Sequence, residues 1–225
     1  MMKRKLYKSS LWSLLVMLAI CLGACKKNDS EYYDYKNTAQ TFKGSALDYL
    51  KSKPNTFDSL LLVLDRYPFL KDSLTNQKLT IFAPVNENFA ASFKYLNKIR
   101  KAAGKPDVNI RNADFDQLGT MLCKYIIRGN RTSDAYINFV DGLRFNAIII
   151  NYPMHIKAVK SSTSGYIGGG ATALEYSDMY GSIFQADWVT TMTNAVNINT
   201  DNATINILSP LHNFGFDEFT IRLDK

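Results

Sequence analysis

The chain is poor in the side chains that most often carry chemistry. Of its 225 residues only two are His, three are Cys and two are Trp. His155 and His212 each lack a second His, Cys or carboxylate at metal-ligand spacing, so the sequence offers no metal site and implies no cofactor. Each reads as a hydrogen-bonded structural residue. No GxSxG elbow is present, and Cys123 falls close to the apolar face of a helical pattern, where a thiol behaves as a small core residue. Gly168-Gly169-Gly170 is followed by no Lys-Ser/Thr pair and no capped helix, so it reads as a loop tip rather than a phosphate cradle. These absences argue against an enzyme. A bilayer-spanning helix needs about 20 consecutive apolar residues. The mostly apolar run from Leu11 to Leu22 is shorter.

That run follows Lys3, Arg4, Lys5 and Lys8 and ends in Leu22-Gly23-Ala24-Cys25, the order of a basic region, an apolar region and a small-residue cleavage site. Residues 1–24 therefore read as an export signal. The ending resembles the bacterial lipobox, which implies that Cys25 becomes the first residue and carries lipid; several acyl chains on one residue exceed the two-signal threshold for stable anchoring. Removal of the signal leaves 23 basic against 20 acidic residues, a net charge of +3 in place of +7, and no electrostatic case for nucleic acid. It also takes Cys21, and lipid occupies Cys25, so Cys123 has no partner for a disulfide. Stability must come from the core, and 46% hydrophobic residues supply one.

Residues 25–41 read as the lipidated Cys and a flexible tether, its polar part spanning roughly 20–25 Å by random-coil scaling. Asp29, Glu31 and Asp34 faintly resemble acidic signals that sort lipoproteins to the outer face of the outer membrane; a plain spacer is the other reading. Residues 42–225 read as one domain without internal repeats. Ser45 and Asp48 form a capping box for a helix that Pro54 stops. Phe57, Leu60, Leu61 and Leu64 make a second helical stripe, from near Asn55 to Pro68. Phe89, Phe93 and Leu96 make a third, and Phe115, Leu118, Leu122 and Tyr125 a fourth that Gly129 closes. After Asp141-Gly142 the period changes. Phe145 to Ile150, Met154 to Val159, Gly181 to Val189, the alternation Val196, Ile198 and Thr200, then Ile205 and Ile207 after an Asp201-Asn202 turn, and Phe214 to Leu223 all read as strands. Helices first and strands second predict an α+β domain.

The most informative stretch is LTIFAPVNENF, from Leu79 to Phe89. Leu79 to Phe82 is β-prone, Pro84 ends the strand, Asn86 can cap a helix, Glu87 places a carboxylate in its first turn, and Phe89 opens its apolar stripe. This string resembles the first signature box of the fasciclin domain, with Val85 where the family usually has Thr. Leu118 to Gly129, LGTMLCKYIIRG, resembles the family's middle segment, with Lys124 and Tyr125 in place of a Tyr-His pair and Arg128 in place of a Pro. NATINIL, from Asn202 to Leu208, resembles the second box, with Asn206 in place of a frequent His. The ending LHNFGFDEF resembles the extension of fasciclin lipoproteins from gut anaerobes. The resemblance implies a twisted antiparallel β-sandwich or barrel packed against N-terminal helices. Its signature residues here are Phe82, Ala83, Pro84, Asn86, Phe89, Tyr125, Gly129, Asn202 and Asn206. It implies an adhesion and ligand-binding module, without the integrin binding tied to Tyr-His in animal members. As a lipoprotein of a Gram-negative cell surface, it implies a TonB-dependent importer complex as partner.

Other candidates come from the surface. Tyr166, Tyr176, Tyr180 and Trp188, with Phe184, either stack on a glycan or pack in the core. Lys94, Lys98 and Lys101 share a helix face that either meets phosphates or is solvated. Asp72-Ser73-Leu74 and Asp58-Ser59-Leu60 resemble an O-glycosylation sequon, with Ser73 the better candidate. The leading reading is a lipid-anchored binding or adhesion module. A structural envelope lipoprotein without a soluble ligand and a polysaccharide or peptide hydrolase are the other classes.

Overall fold

Ser45 and Asp48 bracket the start of the first helix as a reciprocal pair. The Asp48 amide donates to Ser45 Oγ at 3.2 Å and the Ser45 amide to the Asp48 carboxylate at 3.0 Å. The computed structural model describes residues 40–160 and 170–225. The export signal, Cys25, nearly all of the tether, Tyr166, Gly168 and Gly169 lie outside the described residues.

Within that body β1 (Gln40–Thr41) is followed by three short helices, α1 (Ala46–Lys51), α2 (Asp58–Asp65) and α3 (Pro68–Asn76). Pro68, expected only to stop α2, opens α3 at its first position, where a missing N–H costs nothing. Then come β2 (Leu79–Ala83), the long α4 (Asn86–Ala102), α5 (Phe115–Cys123) and β3 (Ile126–Arg128). The remainder is mostly strand: β4 (Leu143–Asn146), β5 (Pro153–Lys160), β6 (Thr172–Asp178), β7 (Val189–Asn199) and β8 (Ala203–Leu208), closed by α6 (Phe219–Leu223).

The strands form one sheet in the order β3-β2-β8-β7-β6-β5-β4, with β1 alongside β7. An isolated bridge between Ile127 and Ala147, and a bond from Ile148 N–H to Ile126 C=O at 2.8 Å, join the two edges into a nearly closed barrel. This is the α+β architecture expected, with one correction. The sheet is mixed rather than antiparallel, because β2 runs parallel to β8 and β1 parallel to β7. No short turn joins either pair, so hairpin geometry does not dictate their direction. The expected Asp201-Asn202 hairpin does join β7 to β8. Every residue of β2 is buried, the pattern of a strand covered on both faces.

Three further expectations change. Gly129 does not close α5; it follows β3 at φ +91°, with its N–H donating to Lys78 C=O. Residues 181–188 are a loop with one 3-10 turn (Gln185–Asp187) rather than a strand, since Tyr180 and Gly181 both turn left-handed (φ +49° and +70°) and β7 starts only at Val189. The expected last strand is a turn and a helix. Gly215 and Phe216 take positive φ, which breaks an extended path, and Phe219 and Leu223 then bury at helical spacing while Ile221 faces out. Likewise β4 ends at Asn146, and residues 148–150 turn toward Pro153.

Candidate functional site

The first signature segment builds a junction rather than an open site. Phe82, Ala83, Pro84 and Phe89 are all buried, and Phe89 stacks on Phe214 at 4.3 Å. Val85 occupies the cap position of α4, and it is the Asn88 carboxamide, not Asn86, that accepts from the Val85 N–H at 2.7 Å. Asn86 instead reaches sideways. Its Oδ1 accepts from Ser59 N–H at 2.8 Å, capping α2, and its Nδ2 donates to Asp58 at 3.1 Å. The expected cap therefore serves the neighbouring helix.

Asn202 is a second junction. Its Oδ1 accepts from Ala46 N–H at the start of α1, and its Nδ2 donates to Leu74 C=O and Gln77 C=O at the end of α3. Asn206, fully buried, accepts from the Asn197 N–H at 3.1 Å through Oδ1, while its Nδ2 has no partner among the described residues. Tyr125, also buried, accepts from Gly215 N–H and bonds His212 Nε2, both at 2.7 Å. Its phenol is held well above the usual range by burial. Burial also drives His212 down to about 3, so the ring is neutral at pH 7, and the direction of its bond with Tyr125 follows the ring's tautomer.

Beside Tyr125 lies a cluster that sequence reasoning missed. The Lys124 ammonium is fully buried and donates to Asp178 Oδ2 at 2.6 Å and Glu218 Oε2 at 2.9 Å. The Tyr152 ring lies 4.2 Å from Nζ. Asp178 is equally buried, and its Oδ1 accepts from the Tyr152 hydroxyl at 2.7 Å and the Tyr180 N–H at 2.9 Å. Burial alone would raise the Glu218 carboxyl, but bonds from Arg222 and Lys124 outweigh it and hold Glu218 below the usual range. Tyr176 donates to the Lys124 carbonyl. A depression of about 320 Å³ lined by Gln117, Tyr180, Glu218, Ile221 and Arg222 opens beside the cluster. The only signal in the sequence was a Lys in the apolar run LCKYII; Asp178 and Glu218 lie 54 and 94 positions away.

Among the described residues of the expected glycan platform, Tyr176 is buried flat against Phe82, Trp188 is half-buried with its Nε1–H bonded to Ser182 C=O and its ring against His155, and Tyr180 and Phe184 present exposed rings. Strand alternation sends Tyr176 inward, which removes it as a glycan contact. Ser73 is buried inside α3 and donates to Phe69 C=O, so its hydroxyl is not available to a glycosyltransferase in the folded protein. The sequence places Ser73 after a helix end at Pro68, whereas Pro68 opens α3. His155 bonds Asp141 C=O, and burial lowers it. Burial pushes the Cys123 thiol up to about 11. Lys94, Lys98 and Lys101 are exposed on α4, whereas Arg100 and Lys105 bind Asp224. Among the described residues no group of His, Cys, Asp and Glu could hold a metal ion, and no helix is long and apolar enough to cross a membrane.

Exposed apolar side chains occur at several places, Val140 and Ile183 among them, and one group of them lines depressions beside the C-terminal segment. Two adjoining depressions, about 530 Å³ and about 300 Å³, share Asn213, Phe216 and Asp217. Tyr95 (61% exposed) and Ile221 (78%) line the first, and Leu211 (91%) lines the second.

No family model matches the chain, and no curated protein does. Among solved structures, a FAS1 domain pair from the insect cell adhesion molecule fasciclin I is similar, at 15% identity and a TM-score of 0.47, over 76% of this chain and 46% of that one. The chain thus spans less than half the length of that structure.

Proposed function

We propose that this protein is a binding or adhesion module held by lipid on Cys25 at the outer surface of a Gram-negative envelope, where the C-terminal groove meets a protein partner. The observation that carries the reading is the exposure of Tyr95, Leu211 and Ile221 around two joined depressions. Aliphatic side chains this exposed cost free energy in water and mark contact surfaces when they gather around a concavity. Two of the three, Leu211 and Ile221, are aliphatic and suit the apolar side chains of a protein. The barrel around them is a rigid support, and α4 and α6 are fastened to each other by Arg100 and Asp224 at 3.1 Å.

A TonB-dependent importer complex is the partner class that the lipoprotein resemblance favours. Crosslinking on intact cells, followed by identification of captured neighbours, tests the reading. Wild-type protein should capture an envelope protein, and a variant carrying Leu211→Ser and Ile221→Ser should lose that neighbour while keeping its fold. Equal capture by wild type and variant would move the contact surface elsewhere; capture of nothing by a folded, surface-exposed protein would remove the binding function.

A further inference from the structure

We propose that Lys124 and Asp178 condense into an intramolecular isopeptide bond, an amide between Lys124 Nζ and Asp178 Cγ, with Glu218 as the proton carrier. Four observations bear on it. The amine and the carboxyl are both fully buried and 2.6 Å apart. A second carboxylate, Glu218, touches the same nitrogen at 2.9 Å. The other Asp178 oxygen is gripped by two donors, Tyr152 O–H at 2.7 Å and Tyr180 N–H at 2.9 Å. The Tyr152 ring lies 4.2 Å from the nitrogen, and the Lys124 main chain is pinned by Tyr176.

The step balances within these groups. The ammonium passes one proton to Asp178 Oδ2 across their 2.6 Å contact, which turns the ion pair into an amine and a carboxylic acid. Nζ attacks Cγ, the C–N bond forms, and the carbonyl pair moves onto Oδ1. There the Tyr152 and Tyr180 donors hold the developing oxyanion. Glu218 takes a second proton from nitrogen and delivers it to the Oδ2 hydroxyl, the Cγ–Oδ2 bond breaks, and the Oδ1 pair returns to rebuild the carbonyl. Ammonium and carboxylate have become amide and water, and Glu218 ends as it began. Its bonds to Arg222 keep it ionised and so able to accept that proton.

Condensation of an amine and an acid is unfavourable in dilute water, but fixing both groups in contact is equivalent to a concentration of about 10⁵–10⁸ M. The product also leaves no polar atom stranded. The new C=O keeps Tyr152 and Tyr180 as donors, the new N–H can donate to Glu218, and Glu218 keeps Arg222. Positive and negative charge are removed in equal number. The bond would tie the end of α5 to the end of β6 across 54 positions of chain, the kind of staple that an exported protein without a disulfide lacks.

Intact mass and tryptic mapping of the purified full chain, unfolded after a period in the folded state, test this. Wild type should be lighter than its sequence by one water, Lys124 should resist trypsin, and the peptide ending at Arg128 should be joined to the one ending at Arg222. Lys124→Arg should restore the full mass. Glu218→Gln, with circular dichroism matching wild type, should form the bond at least about 100-fold more slowly, as expected on losing a general base. A folded wild-type chain at full mass, with Lys124 cleaved normally, overturns the proposal. So does a water loss that maps to a succinimide at Asp141-Gly142. Bond formation by Glu218→Gln at the wild-type rate would strike Glu218 from the mechanism.

Discussion

Phe82 and Tyr176 lie face to face, ring centroids 3.7 Å apart and planes within 2° of parallel. Phe82 is the last aromatic of β2, just before the turn into α4, and Tyr176 sits in β6. The pair therefore packs the strand that enters the helical layer against a strand two places beyond its neighbour β8. Tyr176 continues the contact to the Lys124 carbonyl through its hydroxyl. Phe82→Ala should cost about 3–5 kcal/mol, the range for emptying a buried aromatic site. Tyr176→Phe keeps the stack but strands a buried carbonyl, at about 1–3 kcal/mol. Urea unfolding with a common slope measures both, and a Phe82→Ala midpoint near wild type would show that the stack carries little.

Asn202 should be among the least replaceable polar residues. Its carboxamide serves one N–H and two C=O groups from two different helices. Asn202→Ala leaves the buried Ala46 N–H and Leu74 C=O and the half-buried Gln77 C=O without this partner, so a loss of about 3 kcal/mol or more is expected. Asn202→Asp keeps the acceptor for Ala46 N–H and turns the two donor bonds into repulsions between oxygens, so it should rescue little. Denaturation of the two variants checks the order. An Asp variant as stable as wild type would mean that the bonds to Leu74 and Gln77 are dispensable.

The local grammar of the chain was legible where one segment decides its own shape. Ser45 with Asp48, the exit at Pro84 and the Asp201-Asn202 turn all appear as read, because caps and turns are set by residues a few positions apart. Pro68 is ambiguous because the same residue can end one helix and begin the next, so the sequence alone places Ser73 after a helix rather than inside α3. The Phe214 to Leu223 run reads as a strand on sequence because short aromatic runs fit either period; Gly215 and Phe216 settle the matter only through their positive φ. The Lys124 cluster was illegible for a different reason. Its members come from α5, β6 and the final turn, and only the closing of the barrel brings their charges together.

The proposed lipid on Cys25 makes a separate prediction. Cys25→Ala removes the sulfur that would take the diacylglyceryl group, so acylation and normal signal cleavage should stop together. Detergent phase partitioning and metabolic labelling with a fatty acid read this directly. Protein that stays labelled after the substitution would place the lipid elsewhere or dismiss the lipobox reading.

His212 gives the stability a pH dependence whose sign follows from its burial. The folded ring titrates at about 3, against an ordinary value of 6.5, because charging it would strip an imidazolium of water. The unfolded chain therefore binds a proton that the folded chain refuses, and stability is lost as pH falls from 6.5 toward 3. At about 1.4 kcal/mol per pH unit, one such group accounts for about 2 kcal/mol between pH 6.5 and 5. His155, lowered mainly by burial, adds a term of the same sign starting at the same pH. Glu218 is depressed as an acid, so its contribution is present above its unfolded value, near 4.5, and fades only below that. The window from pH 6.5 to 5 thus isolates the two imidazoles. His212→Asn retains an oxygen able to accept from Tyr125 and removes the titration. Its urea midpoint should be lower than wild type at pH 7 but fall less steeply between pH 6.5 and 5. A variant whose midpoint falls as steeply as wild type would mean that His212 is charged in the folded protein, and with it the bond from Tyr125 to a neutral ring would have to be redrawn.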